Sequence, residues 1–147
     1  MSGRTADYAA LQPRYRVRIV HWVKFQPMSH EELTELRELL RTFAAERDWD
    51  QFHTPKNLAT ALSVESAELL EHFQWLTDDE SHNLSDPTKE SVAQEMADVL
   101  LYLVRLADKL DVDLAEAARR KIALNASKYP ADLARGSAVK YTKLGRE

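Results

Sequence analysis

Thr54-Pro55-Lys56-Asn57-Leu58-Ala59-Thr60-Ala61-Leu62-Ser63-Val64-Glu65-Ser66-Ala67-Glu68-Leu69 is the stretch that decides the fold. Threonine before proline is a helix-start signal. The hydroxyl can accept from an orphan amide, and proline loses nothing at a first-turn position whose N–H has no partner. Behind it Leu58, Ala61, Leu62 and Leu69 recur at helical spacing, which predicts a helix from Thr54 to about Trp75. Asp86-Pro87 repeats the signal ahead of Val92, Val99, Leu103 and Leu106, and predicts a helix ending near Leu110. Upstream, Ser29-His30-Glu31-Glu32 has the form of a capping box, followed by Leu33, Leu36, Leu39, Leu40 and Phe43 up to about Arg47. Downstream, Asp113 with Glu116 opens a helix that runs to about Lys128, where Tyr129-Pro130 stops it. Asp48 to His53 reads as a connection, Thr77 to Ser85 as a polar loop, and the tail around Gly136-Ser137 as irregular. Helices joined by short links, with only 3 Gly and 5 Pro to make tight turns, predict an all-α fold with a four-helix-bundle core.

The composition bounds the chemistry. The 147 residues suit one domain, with 20 Lys+Arg against 24 Asp+Glu and a net charge of -4. There is no Cys, which excludes a disulfide scaffold, a Cys-ligated zinc site, an iron–sulfur cluster and a Cys nucleophile. The mild acidity argues against a nucleic-acid polymer as partner. No run of about 18 apolar residues exists to span a membrane, and a cytoplasmic location is expected. Residues 1–28 differ from the rest: Arg4, Arg14, Arg16, Arg18 and Lys24 face Asp7 alone, without helical periodicity or signal-peptide anatomy. They read as a poorly ordered N-terminal extension, with Met28 as a second possible start, ahead of a domain at 29–147. The acid excess therefore belongs to residues 29–147.

Some of those acids sit on apolar faces. At about 100° per residue from Leu58, Leu62 and Leu69 fall within about 40°, Glu65 at about −20° and Glu68 at about −80°. Counted the same way from Val92, Glu95 falls at about −60°, Asp98 at about −120° and Tyr102 at about −80°, between them. A buried unpaired carboxylate is expensive, and converging ones raise one another's pKa. A hard divalent cation removes both penalties. The all-oxygen donor set favours Mg²⁺, with Mn²⁺ as the alternative, over iron, because di-iron bundles use Glu-x-x-His pairs. The bland alternative is boundary acids paired with Lys or Arg.

Other residues suit a phosphorylated ligand. Lys121, Asn125 and Lys128 share one face of the last long helix by spacing, as a solvated face would too. Trp49, His53 and Trp75 lie near element ends, where aromatic rings can stack on a base or cap a core. There is no Gly-x-x-x-x-Gly-Lys or Gly-x-Gly-x-x-Gly phosphate loop.

With these residues in view, the chain resembles the all-α nucleoside triphosphate pyrophosphohydrolases, the MazG-like superfamily, and within it the dCTP pyrophosphatase branch. The stretches that carry the resemblance are Phe43-Ala44-Ala45-Glu46-Arg47-Asp48-Trp49, Phe52-His53, Lys56-Asn57-Leu58, Phe73-Gln74-Trp75, Asp98-Val99-Leu100-Leu101-Tyr102-Leu103, Lys128-Tyr129-Pro130 and Arg135-Gly136-Ser137-Ala138-Val139-Lys140-Tyr141-Thr142. The resemblance implies a homodimer or homotetramer that hydrolyses a nucleoside triphosphate to the monophosphate and pyrophosphate. It implies that Glu65, Glu68, Glu95 and Asp98 hold Mg²⁺, with Glu65 or Glu68 as general base. Trp49, His53, Trp75 and Tyr102 would surround base and sugar. Lys121, Asn125, Lys128, Lys140 and Tyr141 would contact phosphates, in part from a neighbouring subunit. Many members begin the first motif with adjacent glutamates, whereas this chain has Val64-Glu65, so substrate preference transfers less directly than the metal site. The rival readings are a superfamily hydrolase of dUTP, a damaged dNTP or phosphoribosyl-ATP, a non-catalytic helical nucleotide-binding or oligomerisation module, and a di-iron bundle.

Overall fold

The structure is a computed structural model that describes residues 30–144. The N-terminal extension and the Ser29 cap expected from the sequence lie outside the described residues. Helix α1 spans His30–Glu46, α2 Pro55–Glu71, α3 Asp78–His82, α4 Asp86–Lys109, α5 Leu114–Lys128 and α6 Ala131–Ala134, followed by a 3-10 turn at Tyr141–Lys143. The fold is all-α, as the sequence pattern predicts.

The helix starts follow their capping chemistry. Thr54 accepts from the Asn57 amide at 3.2 Å with Pro55 in the first turn of α2, and Ser85 does the same for α4 through Thr88 at 3.4 Å. Asp113 accepts from the Glu116 amide at 2.9 Å to open α5. The ends of α1 and α4 share one device. Asp48 and Asp111 both adopt a left-handed backbone, φ 53°, just past their helices. The next amide then turns back: Trp49 donates to the Ala44 carbonyl and Val112 to the Ala107 carbonyl, each at 2.9 Å. Aspartate tolerates this conformation better than most residues, and it directs the chain sharply off the helix axis.

Two expectations change. The segment Thr77 to Ser85 is not all loop, because Thr77 and Glu80 close a capping box that nucleates α3. The Glu80 carboxylate accepts from the Thr77 amide at 2.8 Å. Helix α2 ends at Glu71 rather than near Trp75. Its last turn tightens, with both the Phe73 and Gln74 amides donating to the Leu70 carbonyl. The tail carries α6 and the 3-10 turn on either side of Gly136, whose φ of 72° suits glycine.

Helix α4 is the axis of the molecule. It lies against α2 over much of its length and against α1, and no other pair of elements among the described residues meets as extensively. Leu58 of α2, 2% exposed, Ala44 of α1, and Val92, Val104 and Ala107 of α4 form the buried centre. Fully burying a residue such as Leu58 contributes about 1.5–3 kcal/mol. Helix α5 contributes no buried residue, and its Ile122 is 68% exposed.

Candidate active site

The α2–α4 contact brings the acid pairs together. Glu65 stands on the side of α2 that faces α4, and Glu95 and Asp98 stand one turn apart on α4. One carboxylate oxygen from each of these three lies within 4.8 Å of the others, a group that could hold a metal ion. Glu68 is exposed at the edge of this group rather than within it. It still acts on it: burial pushes the Glu65 carboxyl above its ordinary value, and the charges of Glu68, Asp98 and Glu95 push the same way.

Among the described residues no basic side chain neutralises the three carboxylates. Glu95 Oε2 is buried and has no hydrogen-bond partner. Among the described residues no Lys or Arg forms an ion pair with Glu65, Glu95 or Asp98. Converging carboxylates with an orphaned buried oxygen fit a cation, and the all-oxygen donor set fits a hard one. Among the described residues these acids are not boundary acids paired with basic side chains.

Beside the acids lies a cavity of about 190 Å³, lined by Phe43 of α1, Trp49 and His53 of the connection, Leu58 of α2, and Asp98 and Tyr102 of α4. Asp98 thus belongs both to the acidic group and to the cavity wall. Trp49 meets the Phe43 ring edge-on at 5.8 Å and the His53 ring at 6.2 Å between centroids. The left-handed turn at Asp48 brings Trp49 back under α1. A larger cavity, about 400 Å³, lies between α1, the end of α4 and the start of α5, and holds none of the acids of the group.

Arg105, which also lines the smaller cavity, centres a charged network that the sequence pattern does not single out. Arg105 of α4, 4% exposed, donates to Asp50 through Nη2, to Asp108 through Nη1 at 2.6 Å and to His53 Nδ1 through Nε at 3.3 Å. Arg41 of α1 donates to Asp108 at 2.5 Å, and Lys109 to Asp50 at 2.5 Å. Burial alone would push the Asp108 carboxyl up, but the hydrogen bond and charge of Arg41 and the charge of Arg105 hold it below its ordinary value. The hydrogen bond from Lys109 leads in holding Asp50 low as well. Burial, then the Arg105 charge, keeps the His53 imidazole below its ordinary value and hence neutral at pH 7. A sequence signal did exist: Asp98, Tyr102 and Arg105 follow at i, i+4 and i+7 on one face of α4.

The remaining predicted residues lie elsewhere. Trp75, 87% exposed, follows the end of α2 and lines no part of the smaller cavity. Lys121, Asn125 and Lys128 stand on α5, and Lys140 and Tyr141 on the tail, also away from it. Lys128 Nζ sits 5.2 Å over the Tyr141 ring, and Tyr141 meets Tyr129 edge-on at 5.8 Å. Lys128 and Tyr141 thus meet each other away from the cavity.

The fold and site define an all-α protein with a carboxylate centre beside an aromatic cavity. The chain belongs to the MazG-like family, whose model matches residues 60–144. It is 50% identical over 116 residues to dCTP pyrophosphatase 1 of Mus musculus, covering 78% of this chain and 68% of that protein. It is 48% identical over 114 residues to dCTP pyrophosphatase 1 of Homo sapiens, covering 76% of this chain and 67% of that one. A solved pyrophosphatase from Archaeoglobus fulgidus DSM 4304 superposes with a TM-score of 0.65 at 44% identity, covering 73% of this chain and 99% of that structure.

Proposed function

We propose that this chain hydrolyses dCTP, or a modified dCTP, to the monophosphate and pyrophosphate, and so clears deoxynucleotides from the cytoplasmic pool. The observation that carries the reading is the unneutralised group of Glu65, Glu95 and Asp98 at the wall of an aromatic cavity. The similarity to dCTP pyrophosphatase 1 over most of the chain supports the choice of nucleotide. Residues 29–147 would carry the whole activity, with residues 1–28 as an appendage.

Glu65, Glu95 and Asp98, with Glu68 at the rim, would hold Mg²⁺, or Mn²⁺ as the other hard cation suited to these donors. When bound, such an ion neutralises the triphosphate and lowers the pKa of a coordinated water. The side chains of the protein do the rest. Trp49, Phe43 and Tyr102 offer ring faces to the base and keep water from it. Glu65 or Glu68 would take the proton of the attacking water, and Glu68 is the one open to solvent. In-line attack releases pyrophosphate, whose charge suits the basic side chains Lys121, Lys128 and Lys140.

Those lysines would come from a second copy of the chain. Exposed Val64 and Leu70 on α2, and Ile122 and Leu124 on α5, give the chain apolar surface suited to a homodimer or homotetramer. Such an assembly would bring Lys121, Asn125, Lys128 and the tail toward a neighbour's cavity, and would give Trp75 a partner.

A panel of triphosphates with pyrophosphate detection tests the substrate. The expected result is that dCTP or a 5-substituted dCTP is turned over with a kcat/KM at least about tenfold above dUTP, dTTP and the purines, a difference of about 1.4 kcal/mol in transition-state binding. A preference for dUTP or a purine triphosphate would overturn the nucleotide assignment and leave the pyrophosphohydrolase reading to stand. Nucleotide binding without product would support the non-catalytic alternative.

A further inference from the structure

We propose that Arg105 is a positioning residue that fixes the tautomer of His53, so that the cavity presents a permanent N–H donor to the ligand's base. The inference rests on the nucleotide reading above and deepens it. A guanidinium only donates, so the nitrogen it reaches must carry a lone pair. Arg105 Nε lies 3.3 Å from His53 Nδ1, which is therefore the unprotonated nitrogen. A neutral imidazole then carries its proton on Nε2. No described protein atom accepts from Nε2, and His53 lines the cavity. The free donor selects a ligand atom with a lone pair, a carbonyl oxygen or an unprotonated ring nitrogen of the base.

The guanidinium cannot turn away from this contact. Asp50 holds its Nη2 and Asp108 its Nη1, the latter at 2.6 Å, which fixes the plane of the guanidinium with Nε turned to the imidazole. Both acids are themselves fixed from behind, Asp50 by Lys109 and Asp108 by Arg41, each at 2.5 Å. The clamp ties α1, the connection after it and α4 to one ring orientation. A rigid donor loses less entropy on binding than one that must be ordered by the ligand.

The test is a two-bond proton–nitrogen correlation spectrum of the histidine rings in the 147-residue chain without ligand at pH 7, His53 being assigned by the peak lost in His53→Gln. The expected pattern is the Nε2–H tautomer, with Nδ1 unprotonated. In Arg105→Lys the charge between Asp50 and Asp108 is kept but the Nε–H is gone, and His53 is expected to populate both tautomers. With dCTP, that variant is expected to raise KM about tenfold, the worth of one hydrogen bond lost or misaligned, with kcat within about twofold. An Nδ1–H or doubly protonated His53 in the wild type overturns the proposal, and that measurement stands whether or not the variant folds. So does an Arg105→Lys protein with unchanged tautomer and KM, or one that loses kcat at constant KM. The ring spectrum uses no nucleotide, so a failure of the substrate assignment leaves it interpretable.

Discussion

Glu95→Gln is expected to abolish turnover, by about 10³-fold or more, while the helical circular dichroism signal is retained. The two consequences have the same origin. Glu95 Oε2 is buried with no partner, so in the metal-free protein the carboxylate is a source of strain and not of stability. Replacing it with an uncharged amide of nearly the same shape relieves repulsion with Glu65 and Asp98. Its melting temperature in chelator is expected to equal or exceed that of the wild type, whereas the rise on adding Mg²⁺ that binding confers on the wild type is lost. Asp98→Asn and Glu65→Gln follow the same pattern. A Glu95→Gln protein with full activity would remove Glu95 from the site. One that is inactive because it has unfolded would contradict the strain argument.

The second large effect concerns stability. Asp108→Ala is expected to cost about 3–5 kcal/mol, because it removes the partner of a buried guanidinium rather than a surface pair. The Asp108 and Arg105 side chains are each 5% exposed, and Arg41 docks α1 onto the same carboxylate. Urea unfolding followed by circular dichroism at pH 7 measures the loss, and a change below about 1 kcal/mol would place the pair among ordinary surface ion pairs. The pH dependence has a definite sign. The folded-state pKa of Asp108 lies below its ordinary value of 3.8, so its contribution is present above that value and is lost as pH falls through the lower folded one. Asp50 acts in the same direction. The wild type should therefore weaken steeply as the pH drops below about 4, and the variant, which has already lost the Asp108 contribution, should weaken less over that range.

The starts of α2, α4 and α5 were legible because capping is local: Thr54, Ser85 and Asp113 each bind an amide three residues ahead. α3 has the same kind of signal in Thr77 and Glu80, but a five-residue polar helix has no apolar period to draw attention to it. The position of Glu65 was legible because its angle on α2 falls inside the apolar stripe that α4 covers. The angle of Glu68 falls at the stripe's edge, and that difference decides which acid joins the group and which stays exposed. Arg105 was not legible from one helix. Its partners Asp50 and His53 lie on a connection 55 and 52 residues upstream, and only the docking of α4 against α1 brings them together. The basic face of α5 was legible as a face, yet the contacts within one chain give it no acidic or aromatic counterpart at the cavity.

Phosphorus NMR of dCTP incubated with this 147-residue chain and Mg²⁺ tests the central claim most directly, since it reads which bond breaks. The expected products are dCMP and pyrophosphate in equal amounts, with no inorganic phosphate, and both signals are expected to be lost with chelator and with Glu95→Gln. Release of dCDP and phosphate, or hydrolysis that persists in chelator, would contradict it.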